Sequence, residues 1–328
     1  MHAVILAGGK GTRLRPLTDT RPKPLLPFGG DPFAAGLLRR LHAVGCDRAT
    51  FLVGQDGAPF APLRDLGRAL DVTVDVVTEP APLDTAGAAR DLLRGREHGP
   101  VIVCNGDILT DLDYGALVAA HHEAGATATI ALTRVKDTTT FGVIELGSGN
   151  RVLRFVEKPP AGTIDADTIN AGTYVLSEGA FDGCPETGPL SFERAVFPGL
   201  VSRGALVLGV PSDAFWLDLG TPERYLAGHR AVLDGSCHWP VGEAFAASGS
   251  VLVHHDADVA ADAVLGECVV IGARTRVGAG AALTATAVFE DVDIGAGATL
   301  HDVVVGEGAR IPAGATVAGT VVAPHANP

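Results

Sequence analysis

The sequence predicts an α/β domain with a mixed, mostly parallel sheet and flanking helices, followed by a parallel β-helix of hexapeptide repeats. Two patterns carry this prediction. Up to about residue 235, short apolar runs alternate with helical patterns, as in domains that cover a sheet with helices. After about residue 240 the helical patterns stop, and aliphatic residues recur every six positions. We therefore expect two domains, at residues 1–235 and 236–328.

Nine short aliphatic runs in the first part are expected to be strands. They are Ala3–Ala7, Thr50–Val53, Val72–Val77, Val101–Cys104, Thr127–Leu132, Gly142–Leu146, Gly172–Leu176, Ala205–Val210 and Phe215–Asp218. The first helix is expected to open with Asp31 as N-cap and Pro32 at N1, and to end near Val44. The other expected helices are Ala61–Leu70, Thr85–Leu93, Tyr114–Glu123, Phe192–Leu200 and Pro222–Leu233.

The six-residue period of the C-terminal part contains twelve aliphatic positions. They are Val253, Val259, Leu265, Ile271, Val277, Leu283, Val288, Ile294, Leu300, Val305, Ile311 and Val317, with two steps of five residues among them. One aliphatic side chain per hexad is expected to point inward on each face of a triangular coil. At about three hexads per coil, the pattern predicts roughly four coils.

Composition limits the classes of function. The net charge of −13 argues against general nucleic-acid binding, which needs a basic surface. No run of about 18 apolar residues is present, and the N-terminus lacks the features of a signal peptide, so we expect no membrane segment. The five cysteines are scattered without a CxxC pair, which favours reduced thiols in a cytoplasm over disulfides or a zinc site.

A glycine-rich segment follows the first predicted strand. It reads Leu6-Ala7-Gly8-Gly9-Lys10-Gly11-Thr12-Arg13-Leu14-Arg15-Pro16-Leu17-Thr18, and Pro22-Lys23-Pro24-Leu25-Leu26-Pro27 comes shortly after it. Glycines let backbone N–H groups approach phosphate oxygens closely, and Arg13 can pair with them bidentately. The spacing fits neither a Walker A loop nor the dinucleotide fingerprint, since Leu14 stands where the third glycine of that fingerprint belongs. The segment therefore predicts a phosphate-binding loop.

Two aspartates follow predicted strands. Val101-Ile102-Val103-Cys104-Asn105-Gly106 leads into Asp107, which places this carboxylate at the carboxyl end of the sheet, where ligands bind in such folds. Asp218 lies between apolar residues at another strand end, where an unpaired carboxylate would be costly. Lysine is rare in this arginine-rich chain, yet Lys10, Lys23 and Lys158 all fall inside these and related motifs.

Together these segments resemble the signature of the sugar-1-phosphate nucleotidyltransferases. The resemblance covers the whole chain, and it implies a Rossmann-like catalytic domain followed by a left-handed β-helix. It also implies Arg13 and Lys23 as catalytic residues, with Mg²⁺ held by Asp107 and Asp218. The loop residues that would then bind the nucleotide are Leu6, Ala7, Gly8, Gly9, Gly11, Thr12 and Arg13.

The segment Pro82-Leu83-Asp84-Thr85-Ala86-Gly87-Ala88-Ala89 resembles the base-recognition segment of this family. Its Thr-Ala-Gly-Ala form is most similar to the mannose-1-phosphate guanylyltransferases, which implies GTP as the donor. Asp84 stands where the family pattern has Gly. Its carboxylate, or that of Glu79, could accept the N1–H and N2–H of guanine, or Asp84 could be a helix N-terminal charge. Thr85, Gly87 and Asn105 complete the implied nucleotide-binding residues.

Two later segments resemble the sugar-binding half of such a site. They are Phe155-Val156-Glu157-Lys158-Pro159 and Ile169-Asn170-Ala171-Gly172-Thr173-Tyr174. The resemblance implies that Glu157 and Asn170 bind sugar hydroxyls and that Lys158 holds the sugar phosphate. The backbone at Gly142 and Gly172 would then lie against the sugar ring.

The implied reaction transfers a nucleoside monophosphate from GTP to mannose 1-phosphate and releases pyrophosphate. Alternatives are the same reaction with another base, or with a cyclitol or heptose 1-phosphate such as valienol 1-phosphate. A bifunctional acyltransferase would need a catalytic histidine on the β-helix, for which His254, His255 and His301 are candidates. A non-catalytic regulatory subunit would be expected to lose motif residues that are present here. Stacking β-helix coils predict a homo-oligomer.

Overall fold

The computed structural model describes residues 1–95, 99–135, 142–157 and 167–327. The chain forms two compact units, and each is built from several segments. The first contains Met1–Gly9, Arg40–Gly106 and Leu112–Trp216, and the second contains Lys10–Arg39, Asp107–Asp111 and Leu217–Pro328. These units are spatial groups of segments, and they do not divide the chain at residue 235. The domain boundary predicted there stays a prediction.

A nine-stranded sheet forms the first unit together with the helices that pack on it. In chain order its strands are β1 His2–Ala7, β2 Arg48–Val53, β3 Thr73–Thr78, β4 Val101–Asn105, β5 Ala128–Arg134, β6 Gly142–Leu146, β7 Val152–Glu157, β8 Thr168–Leu176 and β9 Val207–Ser212. Their order across the sheet is β7-β6-β8-β4-β1-β2-β3, and β5 pairs with both β8 and β9.

The sheet is mixed, as predicted. β1 is parallel to β2 and β4, β2 is parallel to β3, and β5 is parallel to β9. β8 runs antiparallel to β4, β5 and β6, and β7 runs antiparallel to β6. Eight of the nine predicted strands are strands of this sheet. The edge strand β7 was missed by the sequence pattern because Arg154 interrupts its apolar run.

Six α-helices lie in the part of the chain that the structure describes, and they match the predicted ones to within a few residues. They are α1 Phe33–Ala43, α2 Pro62–Ala69, α3 Asp84–Leu93, α4 Tyr114–Ala124, α5 Phe197–Ser202, which follows a π-helical turn at Phe192–Val196, and α6 Pro222–Leu233. Among the described residues, no helix has both the length and the apolar composition needed to span a membrane.

The predicted start of the first helix was wrong. Asp31–Pro32 forms a short strand that pairs with Pro27–Phe28, and α1 begins only at Phe33. The Asp31 carboxylate does not cap the helix but pairs with Arg39, with 2.6 Å between Oδ2 and Nη2. Pairing with Pro27–Phe28 keeps residues 31 and 32 extended, and Phe33 N donates to the Leu26 carbonyl at 3.0 Å, so the helix begins after this strand pair.

The core of the first unit lies between the sheet and its helices. Alternating residues of β4, β5 and β8 supply Val103, Ile130 and Tyr174, none of which is more than 1% exposed. Phe192 and Phe197 pack on this layer with their rings 5.4 Å apart and nearly parallel. Because such aromatic side chains bury large apolar surfaces, they fix the segment 192–202 against the sheet.

Parallel strands of the second unit wind into a β-helix, as predicted. The strand register places the twelve predicted aliphatic positions in three columns, each residue beside its counterpart in the next coil. The columns are Val253, Ile271, Val288 and Val305; Val259, Val277, Ile294 and Ile311; and Leu265, Leu283, Leu300 and Val317. The two five-residue steps shorten the coil from 18 residues (271 − 253) to 17 (288 − 271).

Glycine recurs after these aliphatic residues because neighbouring coils approach closely at the corners. A Cβ on Gly278 would lie 2.6 Å from the Ala296 amide nitrogen, and one on Gly295 would lie even closer to that of Ala313. Backbone atoms of the next coil cannot move aside, so a larger residue at these corners would push the coils apart.

His121 on α4 is a buried histidine with hydrogen-bond partners at both ring nitrogens. Its imidazole is buried, and Ser177 Oγ, which donates to the Ala126 carbonyl at 3.1 Å, lies 2.8 Å from Nε2. Ser177 must therefore accept from Nε2–H, which leaves Nδ1 to accept from the Thr129 hydroxyl at 2.9 Å. Burial, with a smaller contribution from His122, lowers the pKa of His121 from 6.5 to about 4.

We predict that the free energy of unfolding falls as the pH is lowered from 6.5 to 4, because only the unfolded chain can then protonate His121. The loss should reach about 1–3 kcal/mol at pH 4. His121→Gln should flatten this slope in denaturant titrations across the pH range, whereas His122→Gln, at an exposed position, should keep it. The buried His229, whose pKa is lowered to about 3, contributes equally to both variants. Identical slopes for the two variants would contradict the assignment.

Candidate active site

In the second unit, Lys23 lies between two carboxylates. Its Nζ donates to Asp107 Oδ2 at 2.7 Å and to Asp218 Oδ1 at 3.4 Å. The lysine side chain is only 10% exposed, whereas the Asp107 side chain is 37% exposed. The three residues, named here the Lys23 cluster, come from distant parts of the sequence. Lys23, predicted to be catalytic, is therefore a neighbour of both aspartates that were predicted to bind Mg²⁺.

The backbone around Lys23 is restrained by prolines on both sides. Pro22 and Pro24 flank it in a short 3-10 turn, which is closed by hydrogen bonds from Leu25 N to the Pro22 carbonyl and from Leu26 N to the Lys23 carbonyl. Since proline fixes φ, few alternative backbone conformations remain for this turn. Gly11 packs against it, and a Cβ there would lie 3.2 Å from Lys23 Cβ.

The two aspartates are held by a pair of short strands. Ile108–Thr110 pairs with Trp216–Asp218, and Leu219 N donates to the Asp107 carbonyl at 3.1 Å. This backbone bond places the start of one strand beside the end of the other. It explains why Asp107 and Asp218, 111 positions apart (218 − 107), both reach Lys23.

Two arginines add positive charge at Asp218. Arg13 Nη2 and Arg224 Nη1 each lie 3.5 Å from Asp218 Oδ2. Arg13, which follows Thr12 in a 3-10 turn, is 65% exposed, so its guanidinium is available to an anionic ligand. Arg224 was missed by the sequence motifs. The N-cap at Thr221 fixes the start of α6 and thereby puts Arg224 in the first turn of the helix.

Gly220 was also missed, although it shapes this region. A Cβ at Gly220 would lie 2.6 Å from Arg13 Nη2 and 2.9 Å from Asp218 Oδ1. The absence of a side chain therefore lets Arg13 approach Asp218. The sequence signal was the glycine directly after Asp218-Leu219, in a helix-capping segment.

The donor set of the Lys23 cluster fits a hard cation. Within the described ranges, no group of three or more His, Cys, Asp and Glu side chains is arranged to hold a metal ion. Asp107 and Asp218 instead provide two carboxylates that already face one positive charge. Mg²⁺ is commonly bound by one or two protein carboxylates, with substrate phosphates and water as its remaining ligands. The residues predicted to bind Mg²⁺ are thus chemically suited to it.

In the first unit, β1 leads through Leu6 and Ala7 into two exposed glycines. A Cβ on Gly9 would meet no atom within 4 Å, whereas one on Gly8 would lie 3.2 Å from Glu79 Oε1. Glu79 Oε2 accepts from Leu83 N at 3.2 Å, and burial raises the pKa of Glu79 above its usual value. Glu79 and the glycine-rich loop were both predicted to bind the nucleotide, and Glu79 does lie beside Gly8 of that loop.

Asn105 at the end of β4 packs against Gly172, where β8 has a bulge. Gly172 has φ +74°, and a Cβ there would lie 2.5 Å from Asn105 Nδ2. The Gly172 amide donates to Asn170 Oδ1 at 2.9 Å, and Asn170 Nδ2 donates to the Tyr174 hydroxyl at 2.8 Å. Thus Asn105, Asn170 and Gly172, all predicted site residues, lie together.

The predicted base-recognition residues on α3 have structural partners. Asp84 forms an ion pair with Arg194 and accepts from Thr85 N at 2.8 Å. Thr85 Oγ1 donates to Glu193 Oε2 at 2.7 Å and accepts from Phe192 N at 3.0 Å. A Cβ on Gly87 would lie 2.8 Å from Leu83 Cβ. Packing therefore explains all three residues without a nucleotide, and their binding role stays a prediction.

The remaining residues predicted to bind the sugar phosphate are Gly142 on β6, Glu157 on β7 and Lys158, which follows β7 in the sequence. Gly142 and Glu157 are cross-strand partners in the register of β6 and β7, and Val143 pairs with Ile169 of β8. Gly142, Glu157 and Asn170 therefore lie on three neighbouring strands. Lys158 lies outside the described residues, and the role of the Glu157 side chain stays a prediction.

Replacing Gly172 by Ala should destabilise the protein more than replacing Gly149 by Ala. Both glycines have positive φ, +74° and +64°, but a Cβ on Gly149 would meet nothing within 4 Å. Gly149→Ala therefore measures the backbone cost alone, about 1–2 kcal/mol. Gly172→Ala must also displace Asn105, which we expect to add roughly 1 kcal/mol or more. Chemical denaturation of the two variants checks this, and equal losses would contradict the close contact.

Comparison with known proteins places these observations in a family. The nucleotidyl transferase family model matches residues 2–235, and the GMPPB C-terminal domain model matches residues 247–326. The chain is 35% identical over 298 residues to the mannose-1-phosphate guanylyltransferase of Mycobacterium tuberculosis, covering 90% of this chain and 81% of the relative. It is 33% identical to a probable mannose-1-phosphate guanylyltransferase 1 of Oryza sativa subsp. japonica, covering 88% and 81%.

A comparison with solved structures also finds a similar protein. HddC from Yersinia pseudotuberculosis, crystallised in complex with GMP-PN, is 28% identical with a TM-score of 0.57, covering 69% of this chain and 97% of HddC. The match of a family model to most of the chain, together with relatives that align over both of its parts, identifies the family. The chain belongs to the nucleotidyl transferase family.

Proposed function

We propose that the protein transfers GMP from GTP to mannose 1-phosphate, forming GDP-mannose and pyrophosphate. The observation that carries the proposal is the Lys23 cluster, in which a nearly buried ammonium, two carboxylates and two arginines converge. Relatives with 31–35% identity bear the name mannose-1-phosphate guanylyltransferase, which supports the choice of both substrates. The GMP-PN complex of HddC supports a guanine nucleotide in particular.

In the proposed reaction, a phosphate oxygen of the sugar 1-phosphate attacks the α-phosphorus of GTP in line. The new P–O bond forms as the bond between the α-phosphorus and the bridging oxygen breaks, and pyrophosphate leaves with that electron pair. A phosphate dianion is already nucleophilic, so no Ser, Cys or strong general base is required. Rate acceleration then comes from positioning the two substrates and neutralising their charge.

The side chains have distinct proposed roles. Lys23 neutralises charge developing near the bond being formed, and Arg13 neutralises the departing pyrophosphate. Backbone N–H groups of Gly8, Gly9 and Gly11 bind the triphosphate. Glu157, Lys158 and Asn170 bind the sugar phosphate in this proposal. These roles follow from the family resemblance, and the exposure of Arg13 supports access of an anion to it.

Asp107 and Asp218 are the proposed ligands of Mg²⁺, in keeping with the general use of a divalent metal by nucleotidyl transferases. When bound, the metal would supply charge neutralisation of the substrate phosphates. Lys23 is then expected to turn from the carboxylates to the phosphates, because the ammonium and a divalent cation compete for the same oxygens. A long, flexible side chain with three donors is suited to this exchange of partners.

The decisive test is a matrix of nucleoside triphosphates against several sugar 1-phosphates with Mg²⁺, read by pyrophosphate release. GTP with mannose 1-phosphate should be the best pair. Lys23→Ala and Asp107→Asn should lower the turnover rate by about 10²–10³-fold, since each removes a charge that acts on the transition state. Asp262→Asn, at an exposed carboxylate of the β-helix, is the matched control and should be unaffected.

Two results would overturn the proposal at different levels. Preference for dTTP or UTP, or for another sugar, cyclitol or heptose phosphate, would refute the substrates but keep the reaction. Full pyrophosphate release by Lys23→Ala would refute the proposed chemistry itself. Absence of turnover with every pair would refute the assignment as an active enzyme.

Guanine recognition is proposed for Glu79 rather than Asp84. Glu79 lies beside the glycine-rich loop with one carboxylate oxygen close to Gly8, whereas the Asp84 carboxylate is paired with Arg194. A carboxylate can accept both N1–H and N2–H of guanine, and losing this acceptor from a desolvated site costs about 1–3 kcal/mol.

Glu79→Gln should therefore lower the preference for GTP over ATP by about 5- to 100-fold in kcat/KM. Asp84→Asn should leave this preference unchanged and only weaken the ion pair with Arg194. Competition assays with both nucleotides measure the ratio directly. An effect of Asp84→Asn as large as that of Glu79→Gln would reverse the assignment.

A cytoplasmic homo-oligomer is part of the same proposal. All five cysteines are free, which supports a reducing compartment. The aliphatic coils of the β-helix support self-association, and light scattering of the purified protein measures the oligomeric state.

A further inference from the structure

Arg21 joins the turn that carries Lys23 to the β-helix. It lies two residues before Lys23, and its guanidinium forms ion pairs with Glu290 and Glu307. The side chains of Arg21, Glu290 and Glu307 are 24%, 24% and 17% exposed, so water screens these pairs only in part. This link has no role in the proposed chemistry, since none of the three residues belongs to the Lys23 cluster.

The two glutamates are stacked on adjacent coils. They are 17 residues apart (307 − 290), which equals the coil repeat that pairs Val288 with Val305. The Gly308 amide also donates to the Glu290 carbonyl, so the corner that bears Glu307 lies directly beside the corner that bears Glu290. Like charges opposite one another in neighbouring strands repel. A stack of two carboxylates at one corner therefore needs a cation, and Nη2 of the Arg21 guanidinium lies against both.

In the column of Glu290 and Glu307, the coils on either side carry no carboxylate. One repeat earlier the same position is Ala273 (290 − 17), and one repeat later it is Pro324 (307 + 17). The corner thus presents two stacked carboxylates rather than a continuous acidic face. Arg21 lies against both of them, and His325 Nε2 of the next coil lies 3.8 Å from Glu307 Oε1 alone.

A second contact ties the β-helix to the same region. Tyr225 of α6 packs edge-on against Phe289, the neighbour of Glu290, with 6.2 Å between ring centroids. The Tyr225 hydroxyl donates to the carbonyl of Pro27, which ends the segment after Lys23. Because α6 begins just after Asp218, one corner of the β-helix contacts both the lysine-bearing turn and the helix that follows the metal-ligand candidate.

We propose that the β-helix is a positioning scaffold for the Lys23 turn, with Arg21, Glu290 and Glu307 as positioning residues. Pro22 fixes the backbone between Arg21 and Lys23, so restraining the guanidinium of Arg21 restrains the direction from which the ammonium of Lys23 emerges. The catalytic part of this inference rests on the proposed nucleotidyl transfer. It gives the C-terminal domain a direct part in turnover and a route by which changes in its coils reach the active site.

The test compares a Glu290→Gln/Glu307→Gln double variant with Asp291→Asn. Gln keeps the size of each side chain but removes the charge that binds Arg21. Asp291 is the next residue on the same corner, and its carboxylate forms a bidentate pair with Arg274 of the preceding coil, at 2.7 and 2.6 Å. It therefore controls for losing an arginine–carboxylate pair on the β-helix. Arg21→Lys and Glu307→Gln alone are weaker variants, which serve if the double variant does not fold.

Two measurements are made on the full chain. Hydrogen exchange reports the amides of Leu25 and Leu26, which close the Lys23 turn, and should be several-fold faster in the double variant. Steady-state kinetics should show kcat lowered by about tenfold or more, with a much smaller change in KM, because a misplaced catalytic group affects the transition state most. Asp291→Asn should match the parent protein in both measurements.

The outcomes separate this inference from the proposed function. Unchanged exchange at Leu25 and Leu26 overturns it, whatever the activity. Faster exchange with an unchanged kcat overturns the positioning role. If the parent protein releases no pyrophosphate with any substrate pair, the proposed function fails. The exchange comparison then decides the physical link by itself.

Discussion

The ammonium of Lys23 between Asp107 and Asp218 is the interaction on which the active region of the second unit depends. Two carboxylates that face one point repel each other, and a partly buried site strengthens that repulsion. A cation at 2.7 Å and 3.4 Å offsets it, and removing the cation would leave only the arginines at Asp218 to oppose the repulsion. Pro22, Pro24 and the backbone bond from Leu219 to Asp107 all serve to keep these three groups in register.

The sequence was informative wherever function or packing requires a local pattern. The aliphatic period of the β-helix predicted the three columns because each coil repeats the same contacts, and even the five-residue steps correspond to real changes in coil length. Asp107 was found because it follows a buried strand. By contrast, Arg21 pairs with glutamates 269 and 286 positions away (290 − 21 and 307 − 21), and no local pattern encodes such a distance.

Motif glycines illustrate a different limit of sequence reasoning. Gly87 and Gly172 were predicted to contact ligands, and packing against Leu83 and Asn105 respectively already accounts for the missing side chain at both, so their ligand contacts stay predictions. Gly9 is different, because a side chain there would meet nothing within 4 Å, so its lack of a side chain is not explained by neighbouring protein atoms. The sequence shows that a position has no side chain. Only the surrounding atoms show whether neighbouring protein atoms fill that space or whether it is open to a ligand.

Local charge resolves the contrast between an acidic chain and an anionic substrate. The net charge of −13 is spread over the whole chain, and at physiological ionic strength charges more than about 8 Å apart are largely screened. Around Asp218, Arg13, Lys23 and Arg224 oppose two carboxylates, which leaves one net positive charge (3 − 2). One charge is too little for a triphosphate and a second phosphate together. A divalent cation on the two carboxylates would raise the sum to three, and it would also free Lys23 to face the phosphates. The electrostatics of these residues therefore favour the joint binding of metal and nucleotide over the binding of nucleotide alone.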